Sequence, residues 1–240
     1  MRRSLSCVAV VGLVLAAAVP AVNAQTVDEI LAKNLQAKGG VEAIKATTTV
    51  RMTGKANVQG MDVPITTSVK RPYLMHNEMD MGGQKMVQGF DGTSLWMAMG
   101  ANPPQALPEG PQIEAMKQNS AFDPLFLDYK AKGHTIELVG KETDGGKAVN
   151  HLRFTTKGGM KFDYYLDTET GLETRFTTTA EMQGQKGELE TRFGDYRTVE
   201  GRTLPFTLTQ LMNGNQIVQM KYEKIEFNVA LDDAIFKMPK

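Results

Sequence analysis

Residues 70–100 read KRPYLMHNEMDMGGQKMVQGFDGTSLWMAMG, and six of the chain's fifteen methionines fall within them. Tyr73, Met75, Asn77, Met79 and Met81 alternate with His76, Glu78 and Asp80, a period of two that belongs to a strand and not to a helix. Gly82-Gly83 supplies a hairpin signal, Met86, Gln88 and Phe90 continue the alternation, DGTS turns again, and Leu95, Met97 and Met99 follow. The stretch therefore predicts consecutive antiparallel strands with one apolar face. Methionine is not a preferred strand residue. Its three rotatable bonds and polarizable sulfur suit two jobs, filling irregular core space and lining an adaptable wall for apolar ligands. The residues alone leave both open.

Working outward, the same alternation precedes this stretch. Val50, Met52, Gly54 and Ala56 alternate with Arg51, Thr53, Lys55 and Asn57, and Val63, Ile65, Thr67 and Val69 alternate with Asp62, Pro64, Thr66 and Ser68. Upstream of these, Thr26 stands three residues before Glu29, a capping-box pattern. Val27, Ile30, Leu31 and Leu35 form a helical stripe that Gly39-Gly40 ends, and a second short helix is predicted at Val41–Ala46. Alternation stops between Ala101 and Gly133. ANPPQALPEGP is a proline-rich loop, and PQIEAMKQN and DPLFLDYKAKG read as two short helices with Pro111 and Pro124 near their starts. Strands resume at His134 and recur to Asn228, and LDDAIF starts a terminal helical turn. The prediction is mainly β with some α: about ten strands in a strongly curved antiparallel sheet, with an N-terminal helix and a helical insertion as its cover.

The first 24 residues stand apart. Arg2 and Arg3, an apolar run from Val8 to Val19 and the Val22-Asn23-Ala24 ending predict a secretory signal peptide, 1–24, cleaved after Ala24. Residues 25–240 are then one domain in an exported protein, with the periplasm as the expected compartment. Cys7, the chain's single cysteine, falls in the signal, so no disulfide or thiolate chemistry is expected beyond it. Removing Arg2 and Arg3 from 27 basic and 27 acidic residues leaves a net charge of −2. There is no basic patch to suggest nucleic acid.

Catalysis is not expected. His76, His134 and His151 lie apart with no metal-ligand spacing, and neither a G-x-S-x-G elbow nor a cysteine nucleophile is present in the predicted domain. No cofactor is expected. Copper is the sharpest metal alternative, because Met79-x-Met81 and Met97-x-Met99 each put two thioethers on one strand face; against it, alternation sends His76 to the other face. Arg71 shares parity with Val63, Ile65 and Val69, so its side chain starts on the apolar face. A charge there needs partners or a route to the rim. Carbonyls at the C-terminal end of a lid helix are one solution, and a snorkelling rim position is the other.

Several of these segments together carry a resemblance. VKRPYL (Val69–Leu74), FDGTSLWMAMGANP (Phe90–Pro103), DPLFLDY (Asp123–Tyr129) and NVALDDAIFKMP (Asn228–Pro239) follow one another as in the LolA/LolB-like superfamily, which the chain resembles most in its LolA-type periplasmic carriers of outer-membrane lipoproteins. The resemblance implies an incomplete β-barrel with a helical lid, around an apolar cavity for lipoprotein or lipid acyl chains. It implies an inner-membrane ABC transporter as donor and an outer-membrane acceptor. It places the functional arginine at Arg71 and favours the lid as its partner. A monomer is expected. The ligand-binding set expected is Val63, Ile65, Val69, Arg71, Tyr73, Met75, Met79, Met81, Phe90, Leu95, Met97 and Met99 on the sheet, with Leu125 and Phe126 on the lid. A lipid-binding periplasmic sensor on the same fold is the alternative function. The chain departs from the carriers in its longer C-terminal half and its abundance of methionine.

Overall fold

The computed structural model describes residues 25–58, 60–107, 124–182 and 185–239. Helix α1 (Val27–Ala37) opens with the predicted capping box: Thr26 Oγ1 accepts from the Glu29 amide, and the Glu29 carboxylate accepts from the Thr26 amide. Two donors of the first turn are thereby satisfied reciprocally. Ile30 and Leu31 turn inward, and Asn34, fully buried, donates to the Gly171 carbonyl at 2.8 Å. Helix α2 (Val41–Ala46) follows after Gly40 and buries Ile44.

The strands are β1 (Thr49–Val58), β2 (Met61–Lys70), β3 (Leu74–Met81), β4 (Gln84–Phe90), β5 (Leu95–Met99), β6 (Gln105–Ala106), β7 (Thr135–Asp144), β8 (Lys147–Thr155), β9 (Lys161–Asp167), β10 (Glu173–Met182), β11 (Gln185–Val199), β12 (Arg202–Met212) and β13 (Asn215–Phe227). They form one 13-stranded sheet in the order β6-β5-β4-β3-β2-β1-β13-β12-β11-β10-β9-β8-β7, with antiparallel neighbours throughout. The sheet is an open, incomplete barrel built from two meanders, and β1 pairs with β13 to join them. Strands β6 and β7 are its two edges, so the connection from residue 107 to residue 134 runs from one edge to the other.

Three details differ from the sequence reading. The described residues form thirteen strands where about ten were expected; one of the additions, β6, is only two residues long and carries no alternation to recognise. Residues 124–133 make successive turns and not a regular helix; Asp128 sits at φ 54°, a left-handed conformation that interrupts helical propagation. Tyr73 is not a strand residue. It lies in the 71–73 turn, where Pro72 has no N–H for a ladder, and is 41% exposed. The other predicted insertion helix, 111–119, lies outside the described residues, as does the segment 1–24.

The C-terminal residues return across the face of the sheet that carries His76 and Trp96. Asp232 caps a 3-10 turn at Asp233–Phe236, the helical turn expected of LDDAIF. Phe236 is 1% exposed, and Trp96 Nε1 donates to its carbonyl at 2.8 Å. Lys70 ties the same turn through Asp233. Gly89, the cross-strand partner of Trp96, makes room for the indole, because a Cβ there would lie 2.2 Å from the ring. Among the described residues no helix is long and apolar enough to cross a membrane.

Two outcomes test this strap. Trp96 is the only tryptophan in the chain, so Phe236→Ala should shift its emission to the red and cost about 3 kcal/mol of stability in denaturant titration; unchanged emission would mean that the strap does not cover it. Burial holds the His76 imidazole below its ordinary pKa of 6.5, with Glu78 working the other way. The unfolded chain therefore takes up the proton first as pH falls, so His76's contribution is intact above about pH 6.5 and is lost below it. The thermal midpoint should fall less between pH 7.5 and pH 5 in His76→Gln than in the wild type.

Candidate functional site

Strand register puts the expected site residues of β2 to β5 on one face. Ile65 pairs with Met79, Met79 with Met86, and Met86 with Met99; Val69 pairs with Met75, Met75 with Phe90, and Phe90 with Leu95. Between these two rows runs a third, Thr67–Asn77–Gln88–Met97. The face continues past β1, because Val63 pairs with Ala56, Ala56 with Met220, Met220 with Leu208 and Leu208 with Phe193. Alternation makes each strand present this apolar set to one side.

Burial then divides the set. Val63 and Ile65 belong to a central cluster with Val50, Ala56, Phe206, Tyr222, Ile225 and Phe227, against which Val69, Met79 and Met81 pack. Phe90 and Leu95 are buried with Met75 beside them. Met86 and Met97 are half-buried, and Met99 is 43% exposed. The methionines of β3 to β5 thus form a wing at one edge of the sheet that the described residues leave partly open. Leu125 and Phe126 are elsewhere. They pack with Ile30, Leu31, Leu152, Phe154 and Tyr164 over β8 and β9, so they complete the core of the other meander. Tyr129 and Lys130 both bond Asp28 and tie that segment to α1.

Arg71 meets the C-terminal end of a helix, and the helix is α2. Its Nε donates to the Thr47 carbonyl at 2.6 Å and its Nη2 to the Ile44 carbonyl at 2.7 Å. A second guanidinium reaches the same end. Arg202, 8% exposed at the start of β12, donates to the carbonyls of Lys38 and Ala43 and to Thr47 Oγ1. Its guanidinium also lies 5.3 Å from the Phe227 ring centroid. The last carbonyls of a helix lack intrahelical partners and carry partial negative charge, so two cations clamp α2 to the turn after β2 and to β12. Asp123, where the expected tether to the lid begins, lies outside the described residues. Arg202 had no signature in the sequence, because its partners are about 160 residues away and a lone arginine after a turn has no period.

The opposite face of β7 to β11 is polar. His151 stacks on Tyr165 at 4.5 Å, with Glu142 at 2.7 Å from Nδ1 and Asp163 at 3.1 Å from Nε2. Burial alone would raise the Asp163 pKa; hydrogen bonds from Arg153 and His151 outweigh it and hold the carboxyl below its usual range. The carboxylates approach different ring nitrogens, so the three groups do not converge on a point. Among the described residues no group of three or more His, Cys, Asp or Glu could hold a metal ion. His76 faces Trp96, away from the methionines.

No protein-family model matches the chain, and no curated protein matches it by sequence. Solved structures do match. A DUF1329-family protein from Desulfovibrio piger aligns with TM-score 0.60 at 12% identity, over 88% of this chain and 97% of its own. A LolA-superfamily protein from Nitrosomonas europaea aligns with TM-score 0.57 at 13% identity, over 89% and 98%. A putative outer-membrane lipoprotein-sorting protein domain from Vibrio parahaemolyticus aligns with TM-score 0.55 at 13% identity, over 86% and 97%. At such identities the likeness concerns the fold, and it spans nearly the whole of each structure: the chain has a LolA-like fold.

Proposed function

We propose that the protein is a periplasmic, non-enzymatic carrier that binds the acyl chains of lipoproteins or lipids against the methionine wing and passes them toward the outer membrane. The observation that carries this reading is the half-open row of thioethers on β3 to β5, continuous with a buried apolar core. A wall of flexible, polarizable side chains conforms to chains of varied length better than branched residues do. Met75, Met79, Met81, Met97 and Met99 are the contact residues on this reading. Val63, Ile65, Val69, Phe90 and Leu95 back them from the core, and Leu125 and Phe126 set the far end of the face. The expected donor and acceptor are an inner-membrane ABC transporter and an outer-membrane receptor for the same cargo. The LolA-like fold supports the reading, as does its likeness to a domain described as lipoprotein-sorting.

A fluorescent long-chain acyl probe should bind the purified protein, and Met79→Asp with Met97→Asp should weaken it at least about tenfold, since each change places a charge on the apolar face. Absence of probe binding would overturn the carrier reading. Tight one-to-one Cu(I) binding, lost on Met79→Leu with Met81→Leu, would replace it with copper handling.

The Arg71 clamp makes a separate expectation. Arg71→Leu removes two charge-assisted bonds from α2 and should cost about 2 kcal/mol, a fall of about 4–8 °C in the thermal midpoint for a domain of this size. If α2 and the turn after β2 take part in release, the probe off-rate should also slow. A lowered midpoint with an unchanged off-rate would leave Arg71 with a purely structural role.

A further inference from the structure

The row between the two apolar rows of the wing is polar. Thr67, Asn77 and Gln88 are direct cross-strand neighbours on β2, β3 and β4. Ile65, Met79, Met86 and Met99 flank them on one side, and Val69, Met75, Phe90 and Leu95 on the other. Successive same-face rows are about 7 Å apart along a strand, so an apolar row lies within about six methylenes of an extended chain on both sides.

The row is held in place from one end. Thr67 Oγ1 donates to Asn77 Oδ1 at 3.2 Å, and the Tyr222 hydroxyl stands 3.5 Å from the same Thr67 oxygen. Tyr222 reaches it across β1 at Gly54, its own cross-strand partner. No other residue fits at Gly54, because a Cβ would lie 2.1 Å from the Lys221 carbonyl oxygen. With Oδ1 engaged, the Asn77 Nδ2 donor points away from Thr67. Among the described residues neither this donor nor the Gln88 amide has a hydrogen-bond partner. Both side chains are half-buried, Asn77 between Met75 and Met79 and Gln88 between Met86 and Phe90. Amide donors in such a setting need an acceptor from outside the protein, and water is poorly placed once hydrocarbon covers the rows beside them.

We propose that Thr67, Asn77 and Gln88 form a polar rung that receives the carbonyl oxygens of ester- or amide-linked acyl chains, so that the wing selects acylated lipids over hydrocarbon chains that lack the carbonyl. The inference rests on the acyl-binding reading above and names the linkage that site recognises. Asn77 Nδ2 and Gln88 Nε2 are the donors, and Thr67 and Tyr222 fix the amide of Asn77. The methionines on either side take the chains that run from the carbonyl.

The test is displacement of the bound fluorescent acyl probe by two phospholipids with the same head group and chain length, one a diacyl ester and the other its dialkyl ether. They differ in the two carbonyl oxygens. The wild-type protein should prefer the ester by about three- to tenfold, the effect of one or two neutral hydrogen bonds. In Asn77→Leu with Gln88→Met, checked for wild-type circular dichroism, the preference should fall to near one while ether binding is kept or improved. Equal displacement by the two lipids in the wild type would overturn the rung and leave the carrier reading intact, and that comparison needs no variant. A preference undiminished in the folded double variant would also overturn it. Failure of the probe and of both lipids to bind would overturn the carrier reading and the rung together.

Discussion

The pairing of β1 with β13 is the constraint on which the other features depend. It joins residues near the start of the domain to residues near its end, from Val50 opposite Phe227 to Val58 opposite Val218. Without it the chain is two meanders, each with one apolar face and a second unprotected edge at β1 or β13, and strand edges of that kind invite association with other chains. With it, the two faces become one. The central cluster shows the dependence directly: Val50 and Ala56 come from β1, Val63 and Ile65 from β2, Tyr222, Ile225 and Phe227 from β13, and Phe206 from β12. A bulge at Thr53/Gly54 adjusts the twist where the halves meet. Closure of this pairing spans about 170 residues, a large entropic cost that the cluster it buries must offset.

Two fastenings keep the covers of this sheet in place, and both use chain carbonyls as acceptors. On the apolar side, α2 is too short to be stable alone. Arg71 and Arg202 compensate by binding its last carbonyls from two places far apart in sequence. On the other side, the C-terminal turn is held by the Trp96 indole and by burial of Phe236. The two arrangements differ in what breaks them. A guanidinium clamp answers to whatever competes for the charge, whereas the strap is mostly apolar contact with His76 beneath it.

Methionine has two roles in one protein. Met79 and Met81 are half-buried and pack one side against the central cluster. Met97 and Met99, one strand pair further out, keep part of their surface free. Exposure rises at Met99, on the strand next to the edge strand β6. The same gradient explains the polar row. Thr67 is buried and satisfied by neighbours, and the demand for an external partner grows outward through Asn77 to Gln88.

The sequence by itself determined what is local. The capping box at Thr26 and Glu29, the strand alternation from Val50 to Met99, the face shared by Val63, Ile65, Met75, Met79, Phe90 and Met97, and the helical turn at LDDAIF are all encoded within a few residues of one another. Period and cap chemistry are properties of neighbouring residues. Tertiary structure decided what depends on distant partners. Alternation places Arg71 on the apolar face but does not name α2 as its acceptor, and nothing near Arg202 announces the same role. Parity places Asn77 and Gln88 beside methionines, yet only register makes them one row with Thr67. Leu125 and Phe126 are apolar beside an aspartate and a proline, but whether they cover the methionines or the far meander is set by where the edge-to-edge connection lands. Tyr73 shows the reverse error, since a period of two continues through a turn whenever the turn leaves parity unchanged. The physical reason is the same in each case: side-chain direction is fixed by the local backbone, whereas the identity of the neighbour is fixed by strand order, which here pairs residues about 170 positions apart.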